Sequence, residues 1–469
     1  MDLTALVAEV PGARLAPGAG DGTGPAAATS VTGIAHDSRA VVPGDLFCCV
    51  PGEHTDGHDH APAAVAAGAV ALLCERPLDL PVPQVLVADA RVAMAPAAAA
   101  VHGHPSAALE MVGVTGTNGK TTTVHLLRAV LEAAGRRAEV IGTLTGARTT
   151  PEAPELQRQL ARFVADGVEA VAMEVSSHAL AHHRVDGTRL AVAVFTNLSA
   201  EHLDFHASME EYFQAKARLF TPELADAAVV NVDDPRGRLL RDAAVIPTRG
   251  YSLDDVEGLS VGRVTSRFCW RNVEVTVPLG GRFNVTNALA AAEAAITLGI
   301  EPAAVAEGLA AAGPVPGRFE AVDAGQDFGV VVDYAHTPDG LEHLLGTARE
   351  LVGQGRVIVV FGCGGDRDTA KRPLMGAAAT RWADRVVLTS DNPRSEDPAT
   401  IISEVRSGID DDTTLVVEPD RRRAIALALE AARPGDLVVI AGKGHEAYQQ
   451  VGDERRPFDD RAVARELLS

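Results

Sequence analysis

"ALEMVGVTGTNGKTTTVHLLRAVLEAAG", Ala108 to Gly135, is the stretch whose reading decides the fold. Its opening residues are mostly apolar, which predicts a strand. Two glycines follow within four residues, Gly116 and Gly119, and then a lysine and three threonines. Beyond them an amphipathic helical pattern runs until Gly135, a residue suited to the position just past a helix end. Strand, glycine-rich loop and helix in this order are the context of a phosphate-binding loop. Gly116 and Gly119 would let the backbone N–H groups of the loop, with Thr117 and Asn118 between them, close around phosphate oxygens. Lys120 would reach the β- and γ-phosphates, and Thr121 or Thr122 would ligand Mg²⁺. The strict eight-residue pattern is not met, because Val114 stands where its first glycine belongs. The competing reading is a glycine-rich turn carrying an exposed lysine.

Outward from this stretch the chain falls into three blocks. Residues 1–105 carry short apolar runs ("GDLFCCV", "AVALLC", "PQVLVAD") and an alanine-rich stretch, "AMAPAAAAVHGHP", that reads as a helix ending in a linker. Residues 106–314 alternate strand-like runs ("AEVIGTL", "VEAVAMEVS", "LAVAVFTNLS", "AAVVNVDD") with helical patterns, so a parallel sheet is the economical fold. "GPVPGRFE", with its prolines and glycines, breaks the rhythm and is a candidate hinge between Gly313 and Gly317. Residues 315–469 repeat the alternation ("FGVVVDYAH", "GRVIVVFGCGG", "DRVVLTSD", "TLVVEPD", "GDLVVIAGKG") and predict a second α/β unit with its own sheet. The fold class is therefore α/β, with three domains.

The net charge of −21 over 469 residues argues against a general nucleic-acid or anionic-membrane surface. No apolar run approaches the roughly 20 residues that span a bilayer. "MDLTALVAEV" has acidic residues where a signal peptide would be basic, so a cytoplasmic location is expected. The five cysteines show neither metal-type nor disulfide-type spacing, and reduced, mostly buried thiols are expected.

The residues around the loop suggest its chemistry. Glu174 ends one strand-like run, His178 follows it, and His202 lies just beyond another. Carboxylate and imidazole at the carboxyl ends of adjacent parallel strands would point into one crevice and could ligand a divalent cation. In "SMEEYFQAKARLF", Ser208 and Glu211 form a capping-box pattern. Lys216 falls in the middle of the apolar stripe of that helix, beside Tyr212 and Phe213. It either snorkels along the stripe or faces an internal site, where it would meet an anion or be modified. Further on, "TSDNPRSEDP" packs a carboxylate, an amide and a guanidinium into Asp391 to Arg394. Locally it is a loop with turn chemistry.

"GTNGKT", "FNVTNALAA", "HDSRAVVPGDLF", "TTPEAPELQ", "AMEVSSHAL", "TNLSAEHLDFH", "YFQAKARLF", "VPGRFE", "DYAHTPDGL", "GCGGDRDTAKRPLMG", "SDNPR" and "AGKGHE" span nearly the whole chain. In this set and order they resemble the Mur ligases of peptidoglycan synthesis, which use ATP to add amino acids to a UDP-muramoyl peptide. Within the family the resemblance is to the branch that adds 2,6-diaminopimelate as the third residue. It implies that Ser38 helps hold the uracil end, and that Thr149, Thr150, Ser176 and Arg184 hold the muramoyl peptide. Thr121, Glu174, His202 and a carbamylated Lys216 would be the Mg²⁺ set. Asn284 and Asn287 would lie near adenine, and Arg318 and Asp333 would approach the nucleotide from the third domain. Arg372, Asp391, Asn392, Pro393, Arg394, Gly442 and Glu446 would form the diaminopimelate pocket. The chain departs from the family pattern at Ala200 and Glu201, where Arg and Asp are usual, and at His182, where Gln is frequent. "GTLTGARTTP" is also shorter than usual, implying a trimmed hairpin.

The implied reaction is attack of the D-glutamate γ-carboxylate of UDP-MurNAc-L-Ala-D-Glu on the γ-phosphate of ATP. The resulting acyl phosphate is then attacked by an amine of meso-diaminopimelate. Lys120 and Mg²⁺ would offset the repulsion between two anions. A monomer is expected, without nucleic-acid or membrane partners. The alternatives are the same ligase acting on L-lysine or another diamino acid, a folylpolyglutamate-type ligase, and a P-loop ATPase that ligates nothing.

Overall fold

The computed structural model describes residues 1–16, 29–52, 55–202, 205–410 and 412–469. The loop strand is Glu110–Thr115 and the helix after it Lys120–Ala133, with Gly135 in the left-handed region (φ +82°) two residues later. The strand sits inside a six-stranded, all-parallel sheet. Its order is Thr248–Tyr251, Ala225–Asn231, Leu190–Phe195, Glu110–Thr115, Ala170–Glu174, Ala138–Ile141. Parallel strands need crossovers, and the crossover helices cover both faces, so such strands are apolar throughout. Val112 and Val114 pack with Val124, Leu127 and Leu131 of the loop helix and with Leu289 of helix Arg282–Thr297. Met111, on the opposite face, packs with Leu156 and Leu160 of helix Ala153–Ala165. Full burial of each such aliphatic side chain contributes about 1.5–3 kcal/mol.

The first block folds around a five-stranded sheet, ordered Arg14–Leu15, Gln84–Leu86, Ala71–Cys74, Asp45–Cys48, Gly33–Ala35. The alanine-rich stretch is helix Ala90–Val101, which carries Pro96 internally and buries Ala97 to Ala100. A short turn of helix, Pro105–Ala108, leads directly into the central sheet. The third block has a six-stranded sheet ordered Glu320–Ala321, Gly329–Asp333, Leu437–Ala441, Val357–Phe361, Arg385–Leu388, Leu415–Val417. Its five longer strands are parallel and Glu320–Ala321 is antiparallel.

Two elements go beyond the sequence expectation. An antiparallel sheet, Val256–Val261, Ser266–Trp270 and Val273–Val277, adjoins the central block. A hairpin, Tyr448–Val451 with Glu454–Pro457, follows the last long strand. All five cysteines are free, four of them buried and Cys269 half-buried. Among the described residues no helix is long and apolar enough to cross a membrane.

The connecting segment is tightly seated. Gly317 has φ +64°, and a Cβ there would lie 2.1 Å from the His445 nitrogen, so only glycine fits. Its N–H donates to Glu320 Oε2 at 2.8 Å, and Glu320 also accepts from Arg461 (3.2 Å) and Arg465 (3.3 Å) of the C-terminal helix, Asp460–Leu468.

Candidate active site

The loop closes because its glycines admit neighbours that a side chain would exclude. A Cβ on Gly116 (φ +147°) would lie 1.9 Å from Thr196 Oγ1, and one on Gly119 (φ +88°) 2.3 Å from Asn287 Oδ1. The Thr117 and Asn118 amides donate to the Asn197 carbonyl and side chain, both at 2.9 Å. Lys120 Nζ folds back onto the Gly116 and Thr117 carbonyls at 2.8 and 2.7 Å. Desolvation holds its pKa below the ordinary lysine value.

Glu174 is buried, and its Oε2 accepts from Thr121 Oγ1 at 3.0 Å while Oε1 accepts from the Thr143 amide at 2.8 Å. The strands before Glu174 and His202 are not neighbours, as the sequence reading had them. They straddle the loop strand, one on each side, which still brings both carboxyl ends to the loop. His202 has φ +58°, and its ring meets His178 edge-on at 4.7 Å. His178 stacks on Phe205 at 4.2 Å, and burial first, then its histidine neighbours, push its pKa down to about 4. It is therefore neutral at physiological pH.

Lys216 does not snorkel. It is 1% exposed, its Nζ donates to the Gly116 carbonyl at 3.0 Å, and it lies 4.5 Å from the Tyr212 ring centre. Burial, and then the nearby Lys120, push its pKa well below the usual value. On the same helix the capping box is half-formed. Ser208 Oγ accepts from the Glu211 amide, but the Glu211 carboxylate caps the Ala207 amide instead of that of Ser208.

For Mg²⁺, a hydroxyl and a carboxylate oxygen 3.0 Å apart at the loop are the hard donors the ion prefers. Among the described residues no group of three His, Cys, Asp or Glu converges to hold a metal. The donor set thus fits an ion that completes its shell with phosphate oxygens and water.

A cavity of about 540 Å³ opens between the loop and the third sheet. From the third block it takes Arg318, Asp333 and His336; from the central block, Thr121, Glu174 and Asn287, among others. Arg318 Nη2 donates to Thr121 Oγ1 at 3.2 Å, and its guanidinium lies 4.5 Å from the Tyr334 ring centre. Asp333 accepts from the Phe319 and Ala335 amides, and burial raises its pKa. Asn287 lines the cavity, whereas Asn284 is turned inward, donating to the Gly280 carbonyl and accepting from Asn287.

Thr149 and Ser176 line the same cavity. Thr150 Oγ1 donates to the Glu174 carbonyl and accepts from the Ser176 amide. Arg184 donates to the Thr150 carbonyl and pairs with buried Glu152 at 2.8 Å. Arg91 and Arg148 reach the same carboxylate at 3.1 and 3.8 Å, a cluster not foreseen from the sequence because Arg91 and Arg184 are far from Glu152 in the chain. Ser38 lies outside the cavity, in a turn after strand Gly33–Ala35.

The Asp391–Arg394 loop forms a second cluster, joined to the first where the Gly442 amide donates to the Asp333 carbonyl at 3.1 Å. Gly442 has φ +111°, and a Cβ there would lie 2.7 Å from Asp391 Oδ2. Asn392 Nδ2 donates to Glu446 Oε2 at 2.8 Å. The carbonyl of Pro393 crowds Gly365, where a Cβ would lie 1.9 Å away. Arg394, at φ +52°, donates through Nη1 to the Gly365 carbonyl at 2.6 Å. Among the described residues no carboxylate pairs with Arg394. Arg372, by contrast, is fully buried and directs its guanidinium at Glu396 and Glu404, at 2.6–2.9 Å.

Three family models match the chain in succession: "Mur ligase family, catalytic domain" over residues 30–118, "Mur ligase middle domain" over 114–295, and "Mur ligase, glutamate ligase domain" over 317–444. The UDP-N-acetylmuramoyl-L-alanyl-D-glutamate–2,6-diaminopimelate ligase of Syntrophomonas wolfei is 47% identical over 93% of this chain and 94% of its own. The chain belongs to the Mur ligase family. The ligase of the same name from Streptomyces coelicolor is 45% identical over 95% of this Mur ligase and 94% of its own length. A solved structure of a UDP-N-acetylmuramoyl-L-alanyl-D-glutamate–2,6-diaminopimelate ligase superposes with a TM-score of 0.68 at 35% identity, covering 95% and 96% of the two chains. The MurF ligase of Thermotoga maritima, solved with ADP, shares the fold at 20% identity, with a TM-score of 0.62 over 94% of this Mur ligase and 96% of that chain.

Proposed function

We propose that this Mur ligase joins meso-2,6-diaminopimelate to the D-Glu γ-carboxylate of UDP-MurNAc-L-Ala-D-Glu with ATP, as a cytoplasmic monomer of three domains (1–105, 106–314, 315–469). The observation that carries the amino-acid assignment is Arg394. It is a guanidinium without a carboxylate partner among the described residues, beside the Asp391, Asn392 and Glu446 group. A bidentate grip on the distal carboxylate suits it, and lysine has no such carboxylate. Asp391 and Glu446 supply negative charge for an ammonium.

In this reading Lys120 and the loop amides other than those of Thr117 and Asn118, which Asn197 engages, hold the β- and γ-phosphates of ATP. Thr149, Thr150, Ser176 and Arg184 present the peptide, Ser38 the uracil end, and Asn287, over Asn284, faces adenine. Thr121 and Glu174, with His202 and a carbamylated Lys216, would hold Mg²⁺, which would supply charge stabilisation at the phosphoryl group. Carbamylation requires a neutral amine, and the buried Lys216 Nζ is biased toward that form. The γ-carboxylate attacks the γ-phosphorus and ADP leaves. The neutral amine of diaminopimelate then attacks the acyl carbon, the bond from that carbon to the bridging oxygen breaks, inorganic phosphate departs with that oxygen, and the nitrogen gives up a proton to solvent as the amide forms. Arg318 and Asp333 bring the third domain over the nucleotide and exclude water from the acyl phosphate.

The test is incubation of the pure protein with ATP, Mg²⁺ and UDP-MurNAc-L-Ala-D-Glu, supplying meso-diaminopimelate, L-lysine or L-ornithine in turn. Tripeptide product with diaminopimelate is expected. Product with lysine alone would overturn the amino-acid assignment, and no product with any would overturn the ligase reading.

A further inference from the structure

Lys443 takes no part in the reaction above, yet it is fully buried beneath the Asp391–Arg394 cluster. A buried lysine is costly unless its ammonium is fully partnered. Here Nζ donates to the Tyr448 carbonyl at 2.5 Å, to Asn392 Oδ1 at 3.3 Å and to Glu446 Oε2 at 3.4 Å, and it lies 5.6 Å from the Tyr448 ring centre.

These contacts settle the direction of an amide. Asn392 Oδ1 also accepts from the Gln450 amide at 2.9 Å, so two donors converge on the oxygen. The NH₂ end must then face Glu446, as it does at 2.8 Å. Without the ammonium the oxygen retains a single donor, and Glu446 loses its nearest cation. The same lysine pins hairpin Tyr448–Pro457 to the loop. Gln449 Nε2 donates to the Asp391 carbonyl at 2.7 Å, and the Arg394 amide donates to the Gln450 carbonyl at 3.1 Å.

We infer that Lys443 is a positioning residue for the diamino-acid pocket: it fixes the orientation of Asn392 and Glu446 and holds in register the hairpin against which Arg394 pairs. This inference rests on the proposed ligase reading.

The experiment compares Lys443→Met, of similar length and uncharged, and Lys443→Gln, which keeps an N–H donor, with the parent. The readouts are initial rate, KM for each substrate and thermal midpoint. Lys443→Met should raise KM for diaminopimelate about tenfold or more, with KM for ATP and for the UDP-muramoyl dipeptide within about twofold. Lys443→Gln should recover part of that loss. Asn392→Ala should cost much less in the Lys443→Met background than in the parent, because the two act as a unit. Additive losses, a parent-like KM for diaminopimelate, an equal rise in KM for ATP, or failure of both variants to fold would overturn the inference. If the parent uses only lysine or ornithine, the amino-acid assignment fails and the same cycle is run with that substrate. If the parent ligates nothing, diaminopimelate affinity is read by calorimetry, and absence of binding to the parent overturns the inference along with the reading.

Discussion

At the scale of single residues, the placement of the glycine-rich loop, Glu174 and Lys216 was legible because each sits at a place fixed by local pattern. The loop is a strand–glycine–helix motif, and Lys216 was exposed as an anomaly by helical period alone. The proposed carbamate is testable there. Lys216→Ala should lower activity at least about a hundredfold, with partial recovery on adding short carboxylates such as formate. Full activity in the variant would leave the buried amine as a structural hydrogen-bond donor to Gly116. Arg394→Ala should raise KM for diaminopimelate about tenfold to a hundredfold and leave that for ATP nearly unchanged, read from initial rates. What was not legible were residues whose partners are far away in sequence. Glu152 gathers Arg91 and Arg184 from separate elements, and Arg372 is occupied by Glu396 and Glu404. No period or spacing announces such meetings.

Among elements, the buried strands declared themselves by near-continuous apolar runs, since both faces of a parallel sheet are covered. Hairpin Tyr448–Pro457 did not, because its second strand is exposed throughout and its sequence is polar. The antiparallel Val256–Val261 strand buries none of its residues fully and exposes three of the six. Helix Arg421–Ala431 is tied to the C-terminal helix by Arg421 and Asp460, both fully buried and bonded at 2.7 and 2.8 Å. Asp460→Ala strands an uncompensated guanidinium and should cost about 3–5 kcal/mol in denaturant unfolding. On helix Pro338–Val352, His343 lies 3.4 Å from Asp339 Oδ2, and that partner raises its pKa from 6.5 to about 9. The folded state therefore favours the protonated ring. The stabilisation is complete below about pH 6.5 and is lost as pH rises through about 9. The side chain is two-thirds exposed, so solvent screening keeps the effect small. His343→Gln should lower the thermal midpoint at pH 6 and match the parent at pH 10.

For the whole molecule, the three α/β blocks followed from the rhythm of the chain, and the prolines and glycines near residue 315 marked the connection. How the blocks meet was beyond local reading, since Arg318 reaches Thr121 across 197 positions. Gly317 offers the last consequence. Its backbone is pressed against Gly444 and His445, next to Lys443, so the segment joining two blocks and the floor of the amino-acid cluster share one contact. A rotation at the joint cannot leave the floor unmoved. Nucleotide and diamino acid should then be thermodynamically linked, each changing the affinity of the other by the same factor. Calorimetric titration of each ligand with and without the other should close that cycle. Independent affinities would mean that the joint turns without touching the floor.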